Sequence, residues 1–178
     1  LPEMRIYHFR PGTRDAPPAV NTYPVSIGRM DWKTPLGETR VIQKQRHPSW
    51  HPPDSVRQEA AAKGETLPER VPPGPDNPLG DYALRLARPG YLIHGTNKPY
   101  GVGMRVTHGC IRLLPEDIEE LFDQVAAGTP VQILNQPVTG VPEVTITQDL
   151  ALTSLPRVTV TGTVYLPGAN PVDLGTPA

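Results

Sequence analysis

Proline is the feature that most restricts how this chain can fold, because 24 of its 178 residues are proline, whereas typical usage is roughly 5%. A proline ring lacks the backbone donor and clashes with the preceding helical turn, so it interrupts helices and the inner strands of sheets alike. Long helices are therefore excluded from most of the sequence. We predict a mainly β fold in which short strands are joined by long, stiff loops.

Runs of alternating or β-branched apolar residues predict where the strands lie. These runs cover residues 4–9, 23–28, 39–45, 81–87, 91–94 and 130–134. The run that ends at His94 is followed by a Gly-rich segment, residues 95–109, which we predict to be a loop leading directly to Cys110. A histidine and a cysteine thus stand at the two ends of one loop.

One segment has a clear helical pattern. Residues 115–128 begin with Pro115, which suits the first helical position, continue with an acidic first turn and end at Gly128. Apolar residues recur at i, i+3, i+4 and i+7, which predicts one buried stripe. The stripe consists of Ile118, Leu121, Phe122 and Val125.

A second, shorter helix is predicted over residues 54–64, with Asp54 as its N-cap and Gly64 after its last turn. Its apolar face is thin. We therefore predict that it belongs to a surface insertion of loop and helix around residues 48–80.

Composition excludes several classes of partner. The net charge is −1 and the isoelectric point about 6.6, so there is no basic field for nucleic acid or anionic lipid. No run approaches the roughly 20 apolar residues of a membrane span, and no signal peptide is visible at Leu1.

The single cysteine, Cys110, cannot form an internal disulfide. The length fits one domain, with room for a small appendage.

Residues 94–113 have the chemistry of a nucleophilic site. A cysteine nucleophile needs a base to take its proton and N–H donors to hold the oxyanion. His94 lies sixteen positions before Cys110 and can act as the base, while Gly109 leaves nearby backbone amides free for the oxyanion. On these residues alone, the alternative of a Gly-rich turn with a satisfied core histidine stays open.

The same segment resembles the signature of the L,D-transpeptidase catalytic domain, or YkuD domain. That signature is a His, a loop of about fifteen residues and then Ser/Thr-His-Gly-Cys, matched here by His94-Gly95-Thr96 and Thr107-His108-Gly109-Cys110. Further segments resemble periplasmic Gram-negative members, over residues 3–135 in all. The resemblance implies a β-sandwich or barrel with one helix after the cysteine strand. We predict a catalytic domain over residues 1–135 and a tail or small β appendage over 136–178.

The resemblance also implies roles for individual residues. The catalytic set is Cys110, His94 and His108, and the substrate-binding set is Gly95, Thr107, Gly109 and Arg112. Many family members have Asn two positions after the cysteine, where this chain has Arg112. We predict that this arginine either receives a substrate carboxylate or forms an ion pair with Glu116 or Asp117.

The activity implied by the resemblance is L,D-transpeptidation of peptidoglycan tetrapeptide stems through a Cys110 thioester. The acyl acceptor would be a stem amine, giving a 3→3 cross-link, or an amine of an envelope protein; water would make the enzyme an L,D-carboxypeptidase. The resemblance implies a periplasmic protein, inhibited by carbapenems. We expect a monomer that needs no metal and no organic cofactor.

Two alternatives of other classes stay open. A zinc-dependent hydrolase would bind its metal through His94, His108 and Cys110, and a non-catalytic wall-binding module would keep the cleft without turnover. His47 and His51 have the i, i+4 spacing of metal ligands, but the prolines around them make a helix improbable and favour a surface loop.

Overall fold

The structure is a computed structural model that describes residues 1–12, 14 and 17–135. It confirms the mainly β fold. The strands are β1 (Arg5–Arg10), β2 (Ala19–Pro24), β3 (Ile27–Gly28), β4 (Gly37–Arg46), β5 (Tyr82–Leu86), β6 (Leu92–His94), β7 (Arg105–Thr107), β8 (Ile111–Arg112) and β9 (Pro130–Ile133). The helices are α1 (Asp54–Ala62) and α2 (Pro115–Gln124), with a single 3₁₀ turn at Pro99–Gly101. The tail predicted over residues 136–178 lies outside the described residues.

The main sheet has five strands in the order β8-β6-β5-β4-β9. Its pairs are antiparallel except β6 and β8, which run parallel because the long loop between them crosses over before the chain returns. Strands β1 and β2 form a hairpin, and β3 pairs with β7. The crossover brings the strand ending at His94 next to the strand that follows Cys110.

Helix α2 and the main sheet share one hydrophobic core. The predicted stripe is confirmed, since Ile118, Leu121 and Phe122 are all buried against the sheet. On the sheet side Val41 and Leu84 are each only 1% exposed, and full burial of such a side chain stabilises the fold by roughly 1.5–3 kcal/mol. This core fixes the strands that present the functional residues.

Helix α2 is shorter than predicted. It starts with Pro115 in its first turn, as predicted, but ends at Gln124, and Val125 is extended with φ −103° and ψ 145°. Lys44 Nζ donates to Val125 O at 2.7 Å, and Gly128 N–H donates to Val41 O, also at 2.7 Å. Residues 125–128, predicted to be helical, are instead hydrogen-bonded to strand β4 of the sheet. The prediction that the helix ends at Gly128 is therefore wrong.

Two strand predictions also need correction. The run 23–28 is broken between β2 and β3, because Val25 N–H bonds to Met4 O and Ser26 then pairs with Arg112 on another strand. The predicted loop 95–109 contains β7. That strand has two exposed residues and one buried residue, so it carries no apolar run by which its sequence could be recognised.

Helix α1 confirms the predicted surface helix, with Ala60 as its one buried residue. Asp54 is its first helical residue and not its N-cap; Pro53 holds that position, without a side-chain cap. Gly64 follows the helix with φ +78°, a left-handed conformation that favours glycine.

Candidate active site

The register of β6 and β8 places His94 and Cys110 on one face of the sheet. Ile93 pairs with Ile111 and His94 pairs with Arg112, so the side chains of each pair share a face. Cys110 lies two positions before Arg112, and side chains two apart along an extended chain point the same way. Cys110 directly precedes β8, so its side chain and that of His94 lie toward the same face of the sheet, while the described contacts include no hydrogen bond between Sγ and the imidazole.

Cys110 is a free thiol that keeps part of its surface open to solvent. Its Sγ atom lies 3.7 Å from Gly90 O. Burial raises the pKa of the Cys110 thiol above its ordinary value, and a backbone hydrogen bond from Leu92 acts in the opposite direction with a smaller effect. A catalytic cysteine beside a histidine leads one to expect a lowered pKa, whereas burial shifts the pKa of this thiol in the opposite direction.

His94 is buried at the end of β6, 7% exposed. Its Nδ1 atom lies 2.7 Å from Gly95 O. A carbonyl oxygen only accepts, so Nδ1 carries the proton and Nε2 keeps a lone pair. Burial is the largest influence on the pKa of His94 and, together with the smaller effect of the positive charge of Arg112, lowers it to about 4, while the hydrogen bond to Gly95 O acts in the opposite direction. The imidazole is therefore neutral at neutral pH and able to take a proton on Nε2.

The loop before Cys110 is held by Thr107. Its Oγ1 accepts from Gly109 N–H at 3.2 Å and donates to Cys110 O at 2.6 Å. Gly109 has φ +104°, and a Cβ there would lie 2.8 Å from the ring of Tyr91, so both backbone and space require glycine. The Gly109 amide itself is engaged by Thr107, so an oxyanion would have to be held by other backbone amides near Cys110, which stays a prediction.

His108 meets a residue that the sequence analysis missed. Its Nε2 atom lies 2.8 Å from Oε2 of Glu59 on helix α1, and its ring stands edge-on to Trp32 with centroids 5.1 Å apart. Glu59 is also paired with Arg29. In the sequence, Glu59 is distinguished only by its position next to Ala60, which is the buried residue of α1. The sequence pattern of the helix does not indicate that Glu59 contacts His108.

Arg112 is half-buried and has no carboxylate within ion-pairing distance in the part of the chain that the structure describes. Its Nε atom is buried without a hydrogen-bond partner there, and its guanidinium packs against Gly101. The alternative of an ion pair with Glu116 or Asp117 is therefore not formed. Desolvation lowers the pKa of Arg112, and the guanidinium remains charged at neutral pH.

The two histidines considered from sequence as metal ligands lie on the surface. His47 is exposed and contacts Asp81 at 3.2 Å, and His51 is also exposed. Over residues 1–12, 14 and 17–135, no three His, Cys, Asp or Glu side chains converge as metal ligands do. The zinc alternative needs such a convergence and is not supported.

Two cavities of about 660 and 620 Å³ lie beside the β1–β2 hairpin and beside Thr96, and Cys110 lines neither. None of the helices in the described ranges has the length and apolar character needed to cross a membrane.

A cysteine near a neutral histidine, beside an arginine that has no acidic partner in the described part of the chain, has the components that acyl transfer through a thioester requires. A sequence model of the L,D-transpeptidase catalytic domain, YkuD, matches residues 1–133. The chain belongs to this family.

Curated relatives agree with that assignment. The chain is 47% identical over 137 residues to the probable L,D-transpeptidase ErfK/SrfK of Escherichia coli K12, covering 76% of this chain and 43% of the relative. It is 45% identical over 142 residues to the probable L,D-transpeptidase YbiS of the same organism, covering 79% and 45%. The chain thus spans less than half the length of these relatives.

Solved structures support the fold. The L,D-transpeptidase of Enterococcus faecium, solved as a cysteine-to-serine mutant, has a TM-score of 0.55 at 20% identity, covering 75% of this chain and 46% of that one. L,D-transpeptidase 3 of Mycobacterium tuberculosis has a TM-score of 0.51 at 24% identity, covering 75% and 58%. The β architecture derived from the strand pattern is therefore shared with known L,D-transpeptidases.

Proposed function

We propose that this protein is an L,D-transpeptidase that transfers the acyl group of a peptidoglycan tetrapeptide stem through a thioester on Cys110. The observation that carries the proposal is the parallel pairing of β6, which ends at His94, with β8, which Cys110 directly precedes. His94 has Nδ1 engaged by Gly95 O, which leaves the Nε2 lone pair for the thiol proton. Family membership supports the same reaction class.

In the first half-reaction Sγ of Cys110 attacks the carbonyl carbon of the third stem residue, meso-diaminopimelate in this class, while His94 Nε2 takes the thiol proton. A thioester bond forms and the C–N bond to the terminal D-alanine breaks. D-Alanine leaves with the proton held by His94. Because thiol and imidazole are both neutral at rest, the proton moves during the attack, as general-base catalysis requires.

In the second half-reaction an amine attacks the thioester carbonyl. The amine gives its proton to His94 Nε2, the C–S bond breaks, and the proton returns to Sγ. The new bond is an amide, so no oxidant or energy source is consumed. The acceptor amine belongs to another stem, which gives a 3→3 cross-link, or to an envelope protein; water in its place gives L,D-carboxypeptidase activity.

Arg112 binds a carboxylate of the stem. It lies on the sheet face of Cys110, it remains cationic, and its described surroundings give it no acidic partner. An unpaired cation that is half-buried is costly unless a ligand neutralises it. A planar guanidinium can hold a substrate carboxylate by two parallel hydrogen bonds.

The remaining residues of the predicted site hold the loop. Thr107 and Gly109 give Cys110 its position, Gly95 orients His94, and His108 completes the set as a group that orients the cysteine loop. Contacts of Gly95, Thr107 and Gly109 with substrate remain a prediction. We place the protein in the periplasm, where its stem substrates are found.

The test is incubation with a defined disaccharide-tetrapeptide, followed by mass spectrometry of protein and products. We expect D-alanine release, a transient acyl adduct on Cys110 and a cross-linked dimer of stems. The Cys110→Ala variant, folded by circular dichroism, should give none of these. Equal product from that variant would exclude the thioester mechanism, and adduct without amide product would favour hydrolysis over transfer.

A further inference from the structure

A cluster of charged side chains joins helix α1 to the loop that carries Cys110. Glu59 on α1 lies within hydrogen-bond distance of His108, with 2.8 Å between Oε2 and Nε2, although the two residues are 49 positions apart. His108 precedes Cys110 by two residues. The surface insertion therefore contacts the loop of the proposed nucleophile directly.

Arg29 contacts both Glu59 and the backbone of the segment that contains His108. Its Nη1 and Nη2 donate to Oε1 and Oε2 of Glu59 at 3.0 and 2.8 Å. Its backbone N–H donates to the carbonyl oxygen of Thr107 at 3.0 Å. The segment Thr107–His108 is thus held on one side through its backbone and on the other through its imidazole, with Arg29 and Glu59 connecting the two.

Glu59 is ionised at neutral pH. The hydrogen bonds from Arg29, Lys63 and His108 hold the pKa of the Glu59 carboxyl well below its usual range. The other charged group that faces this cluster is Asp31, which also pairs with Arg29. Since an ionised carboxylate only accepts, the ring nitrogen that contacts it must donate.

The consequence for His108 is a single tautomer and a single ring orientation. Nε2 carries the hydrogen that is donated to Glu59, and Trp32 packs edge-on against the ring with an interplanar angle of 77°. Nδ1 is then the atom that can accept a proton or a hydrogen bond. A carboxylate that orients an imidazole in this way is a recurrent feature of catalytic sites.

We propose that Glu59 is a positioning residue of the active site, which fixes the tautomer and orientation of His108 and so couples the α1 insertion to the cysteine loop. This inference rests on the proposed function in so far as His108 serves the reaction. It adds to that function a residue from outside the His-to-Cys segment.

A structural tie between insertion and core is the competing explanation. The side chains of Glu59, Arg29 and His108 are 23%, 28% and 33% exposed, and a bidentate Arg–carboxylate pair inside a charge network is the case in which an ion pair does stabilise a fold. A purely structural tie predicts a lower melting temperature for Glu59→Gln with a normal acylation rate of the folded protein, whereas a positioning role predicts a slower acylation rate and a changed tautomer of His108.

The kinetic test compares Glu59→Gln, His108→Ala and the double variant with the natural chain, in acylation by imipenem and in turnover of a disaccharide-tetrapeptide. Glu59→Gln should lower the acylation rate about 10- to 100-fold, the usual range for loss of an orienting partner. The double variant should be no slower than His108→Ala alone, because Glu59 acts through His108. Multiplicative losses would overturn the proposal, as would a wild-type rate in Glu59→Gln.

Glu65→Gln is the matched control. It removes the same charge just beyond α1, from a residue that is exposed and whose carboxylate makes no hydrogen bond or ion pair within the described contacts. Its rate and melting temperature should equal those of the natural chain. A loss in Glu65→Gln equal to that in Glu59→Gln would show a general charge effect and overturn the assignment.

A spectroscopic test separates positioning from stability. In ¹⁵N spectra of the imidazoles, neutral His108 should carry its proton on Nε2 in the natural protein, and both tautomers should be populated in Glu59→Gln, since an amide can donate as well as accept. A natural protein with His108 protonated on Nδ1 would overturn the proposal, and this measurement decides even if the variant fails to fold. If the natural protein neither forms an adduct nor turns over substrate, the proposed function fails, while the tautomer still decides the role of Glu59.

Discussion

His94 and Arg112 occupy paired positions on the parallel strands β6 and β8, with a neutral imidazole beside a guanidinium. Burial is the main cause of the low pKa of His94, about 4, and Arg112 adds to it. One pair of backbone positions therefore sets both the protonation state of the proposed base and the location of the proposed anion anchor.

The low pKa of His94 makes stability depend on pH. An unfolded histidine titrates near 6.5, so between about pH 6.5 and 4 the unfolded chain binds a proton that the folded chain does not. The contribution of His94 to the free energy of unfolding is therefore fully present above about pH 6.5. It decreases by about 3 kcal/mol as the pH falls from there to about 4. Denaturant unfolding of the natural chain and of His94→Asn should show this difference. Parallel pH profiles would mean that His94 is not buried as a neutral group.

Carbapenems should acylate the protein on Cys110. Incubation with imipenem should raise the intact mass by one drug equivalent, and the Cys110→Ala variant should take up none. Simple alkylation by iodoacetamide should be slow at pH 7 and rise steeply with pH, because the raised pKa of the thiol leaves little thiolate. Fast alkylation at neutral pH would show that the thiolate is already formed at rest.

The histidines should differ sharply in importance. His94→Ala removes the general base and should lower turnover by about 10² to 10⁴, whereas His108→Ala should be impaired but partly active. His47→Ala, on the exposed loop, is the control and should match the natural chain. A normal rate in His94→Ala combined with loss in His108→Ala would reverse the assignment of the base.

Arg112→Lys should lower kcat/KM by about one to two decades with little change in Tm. A charge-assisted contact is worth roughly 1.5–3 kcal/mol, and lysine keeps the charge without the bidentate fork. Loss of a structural partner would lower Tm, but Arg112 has none of opposite charge in the described ranges. Both quantities should be measured on one preparation; a lower Tm with normal kinetics would refute substrate binding.

The sequence alone determined the features that depend on local pattern. The proline content and the strand alternation predicted the β fold, the stripe from Ile118 predicted the core face of α2, and the segment from His94 to Cys110 predicted the family. Each of these follows from neighbours within one element or one loop, because periodicity and motif spacing are properties of the chain itself.

Only the tertiary structure decided the chemistry around the cysteine. Glu59 meets His108 across 49 positions, and Arg112 has no carboxylate partner among the described residues even though Glu116 and Asp117 lie close to it in sequence. Burial, not the adjacent histidine, sets the direction of the pKa shift of Cys110. The desolvation of a side chain and its long-range contacts depend on which helices and strands pack around it. The local sequence pattern does not specify that packing.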